Sequence, residues 1–206
     1  TWIGEGEGTV FSGGAVLGPW TDAGSGVWET SAPRDAEGKP VWFEQLWVNG
    51  HRMSRSRFPN EGYFHVSRMS TETKLGEGRF EHRFFFSDEC VKKALAELSP
   101  EELGQAQALA IMKWSSTRRV LRRYESEQGA LVTYSPIKWD TYGDWAYLDE
   151  KEGQVCFENL RCGFDAPGEW FYDVTEGKVK YRPLPGEKLA DFQALAPLSQ
   201  LVSIIR

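Results

Sequence analysis

The stretch from Val155 to Glu187 constrains this chain more than any other. At its centre, Asp165-Ala166-Pro167-Gly168 is a forced turn. Pro167 fixes its own φ and pushes Ala166 toward extended geometry, and Gly168 can take a positive φ that other residues resist. Glu169-Trp170-Phe171-Tyr172-Asp173 then places aromatics on both faces of a strand, and Glu176-Gly177 marks a second turn. Lys178-Val179-Lys180-Tyr181-Arg182 alternates charged with apolar side chains, as a half-buried strand does. Two strands joined by a short glycine-containing turn make a hairpin. Pro183 and Pro185 stop the second strand, because proline has no N–H for the ladder.

The remaining punctuation also predicts a mainly β body. Val41 to Val48 reads as a strand, and Asn49-Gly50 behind it is a strong hairpin signal. His51 to Arg57 is the expected return strand, with Arg55 and Arg57 on one face. Phe80 to Phe86 reads as a further strand. Short helices are expected near residues 88–104: Asp88 to Leu98, with Ser87 as N-cap and Val91, Leu95 and Leu98 on one face, and a second helix from the capping box Ser99-Pro100-Glu101-Glu102. Leu109 to Trp114 reads as a buried strand, and Thr117 to Tyr124 with Ala130 to Tyr134 as a hairpin. Near the ends, Val10-Phe11 before Gly13-Gly14 and Gln200 to Ile205 are short apolar strands.

Nine Trp, twelve Phe and seven Tyr in 206 residues can fill a β-rich core or line a sugar site. A net charge of −6 argues against a nucleic-acid binder, which needs a basic face. The arginines at 118, 119, 122 and 123 alternate across both faces of a strand, so they form no single basic stripe. No apolar run approaches the ~20 residues that span a bilayer, so no membrane insertion is expected. Thr1-Trp2-Ile3-Gly4 has no signal-peptide character. Cys90, Cys156 and Cys162 are odd in number; at most one pair could form, with Cys156 and Cys162 nearest in sequence, but free buried thiols are the simpler reading, and the compartment cannot be taken from them.

Three stretches carry a family resemblance. They are Thr9-Val10-Phe11-Ser12-Gly13-Gly14; Leu46 to Arg52 with Arg55 to Gly62; and Glu158-Asn159, Asp165 to Asp173 and Val179 to Glu187. In this order they resemble secreted bacterial proteins of the right-handed parallel β-helix type, glycoside hydrolase-like, some of them distant relatives of polysaccharide lyases. The resemblance implies a β-sandwich-like inserted domain with one or two short helices, flanked by edge strands of a parallel β-helix. Residues 1–20 would supply a first rung, 21–187 the inserted domain, and 188–206 the return to a β-helix that continues beyond Arg206. It also implies a secreted or periplasmic location and, as partners, a polysaccharide or oligosaccharide and the remainder of the β-helix. One position departs from the pattern: Met112 stands where a His is expected before Lys113-Trp114.

No Gly-x-Ser-x-Gly elbow, His-Glu-x-x-His or phosphate loop is present, and His51, His65 and His82 are scattered; no metal and no cofactor is implied. Glu169 and Asp173 share a strand face roughly 13 Å apart at ~3.3 Å per residue, too far for a glycosidase pair, and read as turn caps and ion-pair partners. No catalytic residue is assigned. The candidate sugar-contacting residues are Trp139, Tyr142 and Trp145, in a Gly- and Asp-containing stretch, and the guanidiniums of Arg55 and Arg57, for which pairing with carboxylates at the sheet rim or with backbone carbonyls at the Phe58-Pro59-Asn60 turn is the simpler reading. The expected role is therefore a non-catalytic portion of a polysaccharide-active protein that caps the solenoid and contributes to its sugar cleft. The alternatives are a stand-alone carbohydrate-binding module and a purely structural or interaction domain.

Overall fold

The computed structural model describes residues 12–69, 73–111, 116–135 and 153–197. The fold is mainly β with two short α-helices. One sheet contains β1 (Gly14–Leu17), β2 (Thr21–Gly24), β3 (Val27–Ser31), β4 (Leu46–Val48), β5 (His51–Arg55), β14 (Glu169–Asp173), β15 (Lys178–Tyr181) and β16 (Ala194–Pro197). Their order is β1-β16-β4-β5-β14-β15-β3-β2. The β5–β14 pairing is parallel, and the other neighbours are antiparallel. Among the described residues no coil of parallel rungs forms.

The second body comes from the contiguous segment between these strands: β6 (Arg57–Phe58), β7 (Phe64–Met69), β8 (Thr73–Gly76), β9 (Arg79–Phe86), β10 (Gln107–Ile111), β11 (Ser116–Glu125), β12 (Ala130–Ser135) and β13 (Gln154–Glu158). The order β10-β11-β12-β9-β7-β13 closes on itself through β10–β13, giving an antiparallel barrel with no free edge along that circuit. Its core holds Val66, Phe84, Phe86, Leu121, Leu131, Val155 and Phe157. Each such side chain taken from water contributes roughly 1.5–3 kcal/mol before entropy. Helices α1 (Glu89–Ala96) and α2 (Pro100–Gln105) add Val91, Leu95 and Leu103 to the same core.

Several expectations hold. Ser99 and Glu102 form the reciprocal capping box, with Pro100 at the first helical position. Asn49 and Gly50 both take positive φ, as a two-residue hairpin with the strand twist requires. The hairpins β11–β12 and β14–β15 are in place. The first helix begins later than expected, at Glu89, with Asp88 as an N-cap that makes no side-chain cap bond. Val41 to Gln45 is not strand. Tyr172 Oη donates to the Val41 carbonyl, and Phe43 stacks on Trp170 at 5.2 Å, so this segment lies across β14 by side-chain packing instead of joining a ladder. The strands expected near Thr9 to Ser12 and at Gln200 to Ile205 fall wholly or mostly outside the described residues. All three cysteines are free, but of the three expected to be buried only Cys156 is; Cys90 and Cys162 are exposed.

β14 is buried along its whole length because both of its faces are covered. Trp170 and Tyr172 join the sheet core with Trp28, Phe43, Leu46, Val48, Val179 and Tyr181. Phe171 points the other way and stacks on Phe164 at 5.9 Å.

Inside the barrel, His82 pairs with Thr133 across β9–β12, and both are fully buried. Burial first, and then the positive charge of Arg119, bring the His82 pKa down to about 4. In an unfolded chain the imidazole titrates near 6.5. The unfolded state therefore binds more protons between these values, and stability contributed by neutral His82 is full above pH 6.5 and lost as pH falls toward 4. In thermal melts across that range, the stability advantage of wild type over His82→Gln is expected to shrink with falling pH. A difference independent of pH would show that His82 does not titrate there.

Candidate functional site

The sheet and the barrel meet where β5 ends. The chain leaves the sheet at Ser56, whose N–H donates to the Trp170 carbonyl at 2.7 Å, and continues as β6 of the barrel. The return passes through Asn159, whose N–H donates to the Ser56 carbonyl at 2.9 Å. Asn159 is fully buried with φ 58, a left-handed value that asparagine tolerates better than most residues. Its side chain completes the sheet where β5 has left. Oδ1 accepts from Tyr172 N at 2.8 Å, and Nδ2 donates to the Tyr172 carbonyl at 2.9 Å. Gln105 adds a second staple, accepting from Val174 N at 2.8 Å.

Arg55 and Arg57 are separated by this switch of sheets, so they do not share one strand face as expected. Arg57 donates to the carbonyls of Pro59 and Gly62 and lies over the Tyr63 ring, fixing the local turn. Arg55 is turned inward and only 8% exposed. Its guanidinium lies between two indoles, 4.8 Å from the Trp42 ring centre and 5.7 Å from that of Trp170.

A polar chain surrounds Arg55. Nη1 donates to Gln107 Oε1 at 2.8 Å, and Gln107 Nε2 donates to Glu44 Oε1 at 2.6 Å. Glu158 lies 4.0 Å from the same Nη1 and is held by Arg118 through two bonds of 2.8 and 3.1 Å. Burial lowers the Arg55 pKa to about 10, against the pull of Glu158 and Glu44. Burial also works to raise the Glu44 carboxyl, but hydrogen bonds from Gln107 and Trp42 and the charge of Arg55 outweigh it and hold Glu44 below the usual carboxylate range. Glu44 is thus ionised at neutral pH, on an exposed stretch beside the 39% exposed Trp42. Arg55 Nε and Nη2, and Trp170 Nε1, are buried and have no hydrogen-bond partner among the described residues.

The other carboxylates near the hairpin are fixed structurally. Glu169 Oε2 accepts from the N–H groups of Asp165 and Ala166, both at 2.9 Å, and so closes the Pro167-Gly168 turn. Burial pushes its pKa up against the pull of those amides. Asp173 accepts from Glu176 N and from Lys180 Nζ, each at 3.1 Å. Glu187 Oε2 accepts from Tyr181 Oη and Leu184 N, both at 2.8 Å. Glu169 and Asp173 are therefore the turn cap and ion-pair partner that their spacing suggested.

Sequence reasoning missed Trp42 and Glu44, because Val41 to Val48 read as one ladder strand, and Gln107, which barrel closure brings beside Glu158. Trp139, Tyr142 and Trp145 lie outside the described residues. A recess of about 560 Å³ between α1 and the β11–β12 turn is lined by Glu89, Lys92, Tyr124 and Glu127, with Lys92 paired to Glu89 at 2.6 Å. Among the described residues, no group of three His, Cys, Asp or Glu side chains is placed to hold a metal ion, and no helix is long and apolar enough to cross a membrane.

No family model matches the sequence, and no curated protein matches it. Among solved structures, a chain described as a glycoside hydrolase superposes with a TM-score of 0.62 at 21% identity. The match covers 91% of this chain and 31% of that one, so this chain spans about a third of the length of the structure it matches. The sheet-and-barrel arrangement is thus a fold shared with part of a glycoside hydrolase.

Proposed function

We propose that this chain is a non-catalytic unit of a bacterial, secreted or periplasmic, glycoside hydrolase-like protein that acts on polysaccharide. The observation that carries this reading is the fold likeness to a glycoside hydrolase over 91% of the chain. The resemblance of the Glu158-Asn159, Asp165-to-Asp173 and Val179-to-Glu187 stretches adds to it, and Glu158, Glu169, Asp173 and Glu187 within them are engaged in holding turns, strands and ion pairs. In the full arrangement the remainder of the protein is a right-handed parallel β-helix. Residues 1–20 and 188–206 lead into it and 21–187 form the β-rich body that caps it and lines one wall of the sugar cleft. β1 and β16, from the two outer segments, lie side by side at one edge of the sheet, which suits such a junction. Trp139, Tyr142 and Trp145, with Arg55, are the proposed sugar-contacting set; Arg57, engaged on the Pro59 and Gly62 carbonyls, drops out of it. A stand-alone carbohydrate-binding module is the second reading, favoured by the exposed Trp42 beside the ionised Glu44.

Affinity electrophoresis in gels containing neutral or acidic polysaccharides tests the proposal. The chain is expected to be retarded by at least one polysaccharide, to release no reducing sugar from it, and to lose retardation in Trp139→Ala and Trp145→Ala. Release of reducing ends would assign catalysis to this chain, and unretarded migration in every gel would remove the carbohydrate reading.

A further inference from the structure

The cluster under Trp42 has an unusual polar balance. Arg55 and Arg118 supply two positive charges, and Glu44 and Glu158 supply two negative ones. The charges cancel, yet buried donors are left over. Nε and Nη2 of Arg55 and Nε1 of Trp170 are buried donors without acceptors among the described residues. A buried donor left without an acceptor costs free energy, more so on a charged group. A ligand that supplies oxygen acceptors there recovers that cost. An anion would leave the cluster with a net negative charge beside two carboxylates, whereas a hydroxyl group would not. A hydroxyl also accepts from the guanidinium while donating its own proton to a carboxylate.

From this geometry we infer a binding site for an uncharged saccharide, in which adjacent hydroxyls accept from Arg55 and Trp170 and one of them donates to Glu44. Trp42 is its movable cover. Its ring lies over the Arg55 guanidinium and 5.0 Å from the Tyr172 ring, but the indole is 39% exposed and its backbone belongs to no strand. Turning outward, the indole exchanges its hydrogen bond to Glu44 for one to the ligand, uncovers the guanidinium and offers an apolar face to a pyranose ring. Pairing an exposed aromatic platform with convergent polar groups is what fixes a small ligand in a specific orientation. The site differs from the acidic-sugar receptor that two guanidiniums on one face would make, because Arg57 is spent on backbone carbonyls and Arg55 already has its countercharges.

This inference rests on the carbohydrate reading above but can fail separately from it. The test is titration with neutral cello-, xylo- and manno-oligosaccharides and with oligogalacturonides, following the indole N–H and arginine Nε–H resonances by NMR alongside calorimetry. At least one neutral series is expected to shift the Trp170 Nε1–H and Arg55 Nε–H signals, and to bind better than the oligogalacturonides. Glu44→Gln keeps the acceptor for Gln107 but removes the charge, and is expected to weaken neutral binding about tenfold, the size of one charge-assisted hydrogen bond. Trp42→Ala, which also gives up packing on Tyr172 and so lowers the melting temperature, is expected to weaken it by at least as much. Oligosaccharide binding unchanged in both variants would place sugar elsewhere on the chain, overturning this site and leaving the carbohydrate reading standing. Preference for oligogalacturonides would overturn the charge argument. No shift of either resonance with any series, in a chain that gels containing polysaccharide still retard, would likewise overturn the site. The absence of both would overturn the two together.

Discussion

Replacing Asn159 by alanine is expected to lower the stability of the folded chain by about 3–7 kcal/mol, read as a shift in the denaturant midpoint at constant slope. The side-chain amide makes both hydrogen bonds to the Tyr172 peptide, at 2.8 and 2.9 Å, and Nδ2 also lies 3.3 Å from the Gln105 carbonyl. Alanine removes these partners and leaves a buried N–H and carbonyl unsatisfied, at about 1–3 kcal/mol each. It also places a residue with no local polar side chain at φ 58, adding about 1 kcal/mol. Asn159→Gly separates the two contributions. Glycine loses the bonds but not the backbone tolerance, so it should be the milder variant by about that last amount. A drop below ~1 kcal/mol for the alanine variant would mean that the Tyr172 peptide finds other partners, and that the sheet does not depend on this amide.

Gly163→Ala should be of similar size for a different reason. Gly163 lies in the 3-10 turn Arg161–Gly163, packed on the backbone of β6. A Cβ there would come within 2.7 Å of both the carbonyl carbon and the oxygen of Arg57. Those atoms belong to the strand that brings the chain into the barrel, so they cannot turn aside as a long side chain could. The backbone must move, at a cost of roughly 2–4 kcal/mol or a failure of β6 to pair. Gly104→Ala is the matched control, because a Cβ at that position would meet nothing within 4 Å. It should be neutral or slightly stabilising, since alanine is the better helix former by about 1 kcal/mol. Equal effects from the two substitutions would show that close packing at Gly163 is not what the fold requires.

What could be read from sequence was local chemistry. The β14–β15 hairpin, the turn at Asn49-Gly50 and the capping box at Ser99 depend on residues within a few positions of one another, and each formed as read. Glu169 and Asp173 also fell into the roles their spacing allowed. Alternation failed where an unseen event interrupted it. Arg55 and Arg57 lie two apart, but the chain changes sheets at Ser56, and parity carries no information across such a change. Val41 to Gln45 has strand composition, yet its aromatics pack on Trp170 and Tyr172 from outside the ladder. Barrel closure joins Gln107 to Glu158 and Ile111 to Gln154, pairings that no short window reveals. The Arg55 cluster draws on residues 42, 44, 55, 107, 118, 158 and 170, so no spacing rule could have assembled it.

The clasp at Ser56 and Asn159 also decides how a pull along the chain would be borne. Every barrel strand lies between these two residues, and they are joined to each other at 2.9 Å and to β14 through Trp170 and Tyr172. Tension entering along β5 and leaving along β14 therefore passes straight across the clasp. The barrel hangs beside that route, like a loop of slack rope beside a knot. It takes no load until the clasp opens, and then Arg57 and Glu158, the first and last barrel residues, are drawn apart from each other at once.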